Sequence, residues 1–231
     1  MLLDVKGLQA WYGESHILHG VDFDVCEGEV VTLLGRNGAG KTTTLKSIMG
    51  MIGKRTGSVV FDGHQTIGLT SDRIAHLGLA ICPEERGIFS SLNVLENLML
   101  PPQVRPGGLP VEQIFDLFPN LKERINSQGT KLSGGEQQML AIGRILRTGA
   151  RLLMLDETTE GLAPVIIQQI GRTIARLKQQ GFTILLVEQN FRFASTVADR
   201  FYVMEHGRVI DAFATADLAA NMDKLHDYLG V

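Results

Sequence analysis

The chain is short of most features that would assign it to a specialised class. Two cysteines, Cys26 and Cys82, are too few and too widely spaced for a disulfide scaffold or a metal knuckle, so both read as buried thiols. No apolar run approaches the roughly 18 residues of a membrane-spanning helix; the longest are pieces such as Ile184-Leu-Leu-Val187. The opening Met1-Leu-Leu-Asp-Val-Lys6 lacks a basic segment followed by an apolar stretch, so no secretory signal is expected and the cytoplasm is the default compartment. There is no long run of like charge. A net charge of -3 and a pI near 6.1 exclude global attraction to nucleic acid or anionic lipid. What is present suits a globular chain: 231 residues, 44% hydrophobic and 20% charged, enough for one compact unit or one with an inserted subdomain, and too apolar for disorder.

The first sixty residues alternate β-prone pieces with turn residues. Leu2 to Val5, Val21 to Val25, Val30 to Leu34 and Val59 to Phe61 read as strands, the last closed by Asp62-Gly63. A helix is predicted from Thr42 to Met51. Four of the seven prolines fall at Pro101, Pro102, Pro106 and Pro110, a connector flanked by helical stretches at Asn93 to Leu100 and Val111 to Phe118. Another helix is predicted from Ser133 to about Thr148, so residues 88–150 read as mostly helical. From Arg151 strands and helices alternate: a strand Leu152 to Leu155, a helix around Val165 to Gln180, a strand Thr183 to Val187 and a helix around Arg192 to Asp199. Such alternation predicts an α/β fold with a parallel sheet and crossover helices.

Gly35-Arg36-Asn37-Gly38-Ala39-Gly40-Lys41-Thr42 matches the P-loop pattern in full, between a predicted strand and a predicted helix. Glycines at these positions let successive N–H groups turn inward around phosphate oxygens, and the helix start adds its positive end. Lys41 is expected to bridge the terminal phosphates, with the Thr42 hydroxyl on Mg²⁺ and Thr43 beside it. A glycine-rich turn without a ligand is the plain alternative, and the strand–loop–helix context weighs against it. Leu152-Leu-Met-Leu-Asp156 reads as a buried strand that delivers a carboxylate at its end. Asp156 then suits the Mg²⁺ shell, and Glu157 suits a general base that polarises the attacking water. Alone, this acid pair would read as a helix cap.

Leu132-Ser133-Gly134-Gly135-Glu136-Gln-Gln138 precedes the predicted helix from Ser133. Ser133 is a good N-cap, Glu136 three residues on completes a capping box, and two glycines leave the first amides bare, which favours an anion. This segment resembles the signature sequence of ATP-binding cassette (ABC) ATPases, and the resemblance covers essentially the whole chain. It implies a P-loop NTPase core with N-terminal antiparallel strands, a nucleotide-binding core at 1–87 and 151–231, and a helical subdomain at about 88–150. It also implies ATP and Mg²⁺ as cofactors. In that family the signature of one subunit closes on nucleotide held by another, so Ser133, Gly134, Gly135 and Glu136 are implied to contact a partner's ATP. Tyr12 matches the place of the aromatic that stacks on adenine, with Trp11 as its competitor.

Four positions depart from the commonest family sequences. Glu84, in Ile81-Cys-Pro-Glu84-Glu-Arg-Gly87, stands where a glutamine usually links Mg²⁺ to the membrane partner; a carboxylate can also ligand the ion, directly or through water. Gln189 stands where a histidine usually contacts the γ-phosphate; its amide donates a hydrogen bond but never becomes a cation. Thr158 replaces a proline, and Ala163 replaces an aspartate in the loop that crosses the dimer interface. Together Pro83-Glu-Glu-Arg-Gly87, Glu160-Gly-Leu-Ala-Pro164 and Val187-Glu-Gln-Asn190 resemble the ATP-binding subunits of branched-chain amino acid importers, with urea and short-chain amide importers close by. The implied partners are integral-membrane permease subunits and a second ABC ATPase, as a heterodimer in the working complex or a homodimer in isolation. A periplasmic solute-binding protein acts indirectly. The implied place is the cytoplasmic face of the bacterial inner membrane. A soluble ABC ATPase acting on nucleic acid or ribosomes is the alternative. It is disfavoured by the acidic pI and by the lack of basic arms or a second cassette, and the short tail Ala214 to Val231 leaves no expected room for a regulatory domain.

Overall fold

The computed structural model describes residues 1–229, so the expected tail is described as far as Leu229 and its last two residues lie outside the described residues. In chain order, β1 (Leu3–Tyr12), β2 (Ser15–Val25) and β3 (Val30–Leu34) precede α1 (Lys41–Ile48). β4 (Lys54–Phe61), β5 (His64–Gln65), α2 (Ser71–Leu77) and β6 (Leu79–Cys82) follow. A helical stretch then comprises α3 (Val94–Met99), α4 (Val111–Leu117), α5 (Pro119–Glu123) and α6 (Gly134–Leu146). Alternation resumes with β7 (Leu152–Asp156), α7 (Pro164–Gln179), β8 (Thr183–Glu188), α8 (Phe191–Ala194), β9 (Arg200–Glu205), β10 (Arg208–Ala214) and α9 (Met222–Leu229).

Two sheets result. The N-terminal sheet has the order β2-β1-β4-β5 and is antiparallel. The other has the order β10-β9-β3-β8-β7-β6; its pairs are parallel except that β10 runs antiparallel to β9. The central strands β3, β8 and β7 are buried at every residue, which is why they read as unbroken apolar runs. Alternate residues serve opposite faces. Leu153, Leu155, Ile184 and Leu186 pack with the helical stretch, while Leu152, Met154, Leu185 and Val187 pack with the N-terminal sheet and α1. The helical stretch has no separate core: Val94, Ile114, Phe118, Met139 and Ile142 share one cluster with Leu155 and Leu186.

Several sequence expectations are revised. β1 and β2 are longer than the apolar pieces in them, because register shifts after Val5 and near Leu8 offset the alternation, and Gly7 takes φ 55. α1 stops at Ile48 rather than Met51: Gly50 adopts φ 72 and Met51 N donates to Lys46 O at 2.8 Å. The helix expected over Arg192 to Asp199 ends at Ala194. Ser195 and Thr196 hydroxyls bond back to the carbonyls of Arg192 and Phe193, at 2.9 and 2.7 Å. Cys82 is buried as expected, but Cys26 is exposed.

Candidate active site

The adjacent parallel strands β3, β8 and β7 end on one edge of the sheet, and ligands of such sheets bind beyond the carboxyl ends of the strands. The P-loop leaves β3, Glu188 and Gln189 end β8, and Asp156 and Glu157 end β7. The loop packs tightly: a Cβ at Gly35 would lie 2.5 Å from the Met204 carbonyl oxygen, and one at Gly40 2.9 Å from Leu18 Cδ2. Gly40 also takes φ 104. It provides no side-chain cap, and no acid occupies the first turn of α1. The amides at this helix start are therefore left for an anion.

Lys41 is 3% exposed. Its Nζ donates to the carbonyl oxygens of Gly35 and Arg36 at 2.9 and 3.1 Å, and pairs with Glu157 Oε1 at 3.0 Å. Thr42 Oγ1 donates to Asp156 Oδ1 at 3.0 Å, while Asp156 Oδ2 is buried with no partner. Burial pushes the Asp156 carboxyl up to about 6; the Thr42 hydrogen bond opposes this, and the charges of Glu157 and Glu84 add to it. The orphaned Oδ2 beside a threonine hydroxyl fits Mg²⁺, whose preferred donors are hard oxygens. Glu84 is exposed and lines the same cavity as Thr42.

Glu157 is buried and has φ 44, with its amide donating to Val187 O at 2.9 Å. Gln189 Nε2 donates to Glu157 Oε2 at 3.4 Å. Glu160, which sequence reading did not select, hydrogen-bonds Glu157, and this contact is the main cause that raises its carboxyl above the usual range. Its signals are its place at the head of Glu160-Gly-Leu-Ala-Pro164 and three residues after Glu157, where the turn Glu160 N to Glu157 O brings the chain back to the cleft.

Tyr12, Gly38, Lys41, Thr43, Glu84 and Glu157 line a cavity of about 420 Å³, together with Ile17, Asn37, Gly40, Thr42 and Glu160. Tyr12 and not Trp11 faces it. Tyr12 is 49% exposed, whereas Trp11 stacks on His16 at 4.3 Å with Lys54 over its ring. Arg36 turns its side chain away, donating to the carbonyls of Tyr228 and Asp227 at the end of α9, at 2.9 and 3.0 Å, which leaves its backbone to the loop. It can serve nucleotide only through its backbone. Ala39 is buried, and like Gly35 it does not line this cavity; Asp156 and Gln189 reach it through Thr42 and Glu157.

Ser133, Gly134, Gly135 and Glu136 lie at the start of α6 and line no part of this cavity. Ser133 Oγ accepts from Glu136 N at 3.3 Å and Ser133 N donates to Glu136 Oε2 at 2.7 Å, a complete capping box. A second, more apolar groove of about 420 Å³ runs between Ile81 to Phe89, Pro101-Pro102 and α6. The 81–89 segment is tied to α6: Arg86 Nε donates to Gln138 Oε1 at 3.1 Å, Arg144 Nη1 donates to Gly87 O at 2.5 Å, and Arg144 lies over the Phe89 ring. Buried Asn97 accepts from Phe89 N at 2.9 Å and fixes the loop from behind.

The model of the ABC transporter family matches residues 18–160. The chain is 42% identical to the high-affinity branched-chain amino acid transport ATP-binding protein BraG of Pseudomonas aeruginosa, over 99% of this chain and 100% of that protein. It is 38% identical to the probable branched-chain amino acid transport ATP-binding protein LivF of Archaeoglobus fulgidus, over 90% of each. Among solved structures, an ATP binding subunit of an ABC transporter matches with a TM-score of 0.83 at 28% identity, covering 100% of both chains.

Proposed function

The chain belongs to the ABC transporter family as an ATP-binding ATPase, and on that premise we propose that it energises uptake of branched-chain amino acids through a partner permease. One observation carries the chemistry: three adjacent strand ends bring Lys41, Thr42, Asp156, Glu157 and Gln189 together at one cleft, with Lys41 Nζ 3.0 Å from Glu157.

Tyr12 stacks on adenine at the cleft mouth, and the loop amides from Gly38 to Thr43 hold the phosphates. Thr42 and Asp156, with Glu84 at the rim, would hold Mg²⁺, which would supply positive charge against the developing phosphate charge. Entry of the γ-phosphate draws Lys41 off Glu157. The released Glu157 carboxylate then accepts the proton of the attacking water, a role worth about 10²- to 10⁴-fold in rate. Gln189 donates its amide to the γ-phosphate and keeps that contact without a titration.

The exposed start of α6 completes a site on a second ATPase, so two nucleotides are held between two chains. Closure of that dimer moves α6, and the bonds of α6 to Arg86, Gly87 and Phe89 carry the motion to the apolar groove, where a permease helix docks. Phe89, 48% exposed, is the natural contact there. The partner ATPase in the working complex is a sister chain, whose place a second copy of this chain takes in isolation; the solute reaches the permease from a periplasmic binding protein, and the subunit sits on the cytoplasmic face of the inner membrane. Among the described residues no helix is long and apolar enough to cross that membrane. The names of the relatives in Pseudomonas aeruginosa and Archaeoglobus fulgidus support the solute class.

The test is reconstitution with the neighbouring permease pair and binding protein in vesicles. ATP-dependent uptake of labelled leucine is expected; uptake of urea in its place would contradict the solute class, and ATP hydrolysis without docking to any permease would contradict the importer role.

A further inference from the structure

Glu188 closes β8 and is 1% exposed, yet nothing in the chemistry above employs it. Its Oε2 accepts a hydrogen bond from Thr159 Oγ1 at 3.0 Å, while Oε1 is buried with no partner. Burial pushes this carboxyl up to about 7. The Thr159 and Asn190 hydrogen bonds oppose the rise, and the Glu157 charge adds to it. A half-bonded carboxyl is costly in a strand otherwise made of Ile184, Leu185, Leu186 and Val187, where another aliphatic side chain would pack without that cost.

Its position explains the cost. The turn that bears Glu157 is fastened to β8 at two successive residues: Glu157 N donates to Val187 O at 2.9 Å, and Thr159 Oγ1 donates to Glu188. Between these fastenings Glu157 holds φ 44, which a non-glycine residue keeps only where its surroundings over-determine it. Gln189 follows Glu188 directly and reaches back to Glu157 at 3.4 Å.

We propose that Glu188 is a positioning residue for ATP hydrolysis: through Thr159 its carboxyl holds the Glu157 turn and the Gln189 loop in register, so that both meet the terminal phosphate together. This rests on the assignment of Glu157 as the base.

The test compares Glu188→Ala, Glu188→Gln and Thr159→Val for ATP dissociation constant, KM, kcat and thermal unfolding, with Glu157→Gln alongside. Glu188→Ala and Thr159→Val are each expected to lower kcat by about 10- to 100-fold with KM and the dissociation constant within about threefold. Glu188→Gln keeps an acceptor for Thr159 and is expected to restore most of kcat. The double variant is expected to be no slower than the slower single, because both break one link. Wild-type kcat in Glu188→Ala, a Glu188→Gln as slow as Glu188→Ala, or losses that multiply in the double variant would each overturn the proposal. If Glu188→Ala does not fold, Glu188→Gln and Thr159→Val decide it. Undiminished turnover in Glu157→Gln would overturn the underlying base assignment, a result distinct from any seen at Glu188.

Discussion

Two helix starts in this molecule present glycines and backbone donors, and they are finished in opposite ways. α1 begins behind Gly40 with no side-chain cap and no acid in its first turn, inside a cavity that its own chain lines. α6 begins behind Ser133 with a complete capping box, and Ser133 and Gly134 are exposed away from that cavity. The uncapped start has its donors unspent and its counter-ion supplied by ligand, so it is built to bind in cis. The capped start is stable without ligand. Of its first residues Gly134 is exposed and Gly135 is buried against Ile166, and this start is the one proposed to meet nucleotide held by a partner chain. The difference teaches that the helix start inside the cleft leaves its donors free for an anion, whereas the start of α6 is completed by its own side chains.

The largest expected effect breaks the α1 side. Glu157→Gln keeps ATP binding, loses about 10²- to 10⁴-fold in turnover, and accumulates an ATP-dependent dimer; steady-state phosphate release and gel filtration check this. Gly134→Arg breaks the α6 side instead. A new Cβ there meets no atom nearer than Arg86 Nη1, at 3.4 Å, and Gly134 is exposed, so the fold accepts the change. ATP affinity of the single chain is expected to stay within about threefold while turnover falls by about 10²-fold, read by nucleotide titration and phosphate release. A loss of affinity equal to the loss of turnover would merge the two starts into one cis site.

Stability against pH sharpens the comparison on the cleft side. An unfolded glutamate loses its proton near 4.5, whereas Glu188, facing the Glu157 charge across the Thr159 bond, holds its proton to about 7. The folded chain therefore binds more protons in this window, and stability falls as pH rises through it, by about 3 kcal/mol in all. Glu188→Gln is expected to remove this part of the slope across about pH 4.5 to 7, leaving that of Asp156, whose carboxyl is pushed up to about 6 in the same sense, measured by urea unfolding without Mg²⁺. The smallest effect belongs to the cap: Ser133→Ala loses the bond to Glu136 N and about 0.5–2 kcal/mol, seen as a lower melting temperature with ATP affinity of the single chain unchanged.

Both helix starts were legible in the sequence because each is a local pattern in which spacing and residue type act together. β3, β7 and β8 were legible for a related reason: burial on both faces makes an apolar run. The long strands β1 and β2 were not, since bulges near Val5 and Leu8 shift their alternation and glycines interrupt their propensity. β9 and β10 were not legible as a pair, although Phe201 to Met204 is apolar, since β10 alternates half-buried and exposed residues without a strong apolar run. Arg36 illustrates the limit of a motif. Its loop position is fixed locally, but its side chain is claimed by α9, an element far along the chain. Glu160 and Glu188 lie in segments that resemble the importer ATPases, but nothing in those segments gives them a role; a left-handed turn at Glu157 and a strand register bring them to the site.

The central claim, that each site is shared between two chains, is tested most directly by mixing two inactive variants. Lys41→Ala lacks the cis half and Gly134→Arg lacks the trans half, so in a mixed dimer both lesions fall on one site and the other is intact. Equimolar mixing is expected to restore ATP hydrolysis to about a quarter of the wild-type rate, because half the dimers are mixed and each has one whole site. A mixture that stays at the rate of either variant alone would contradict the claim.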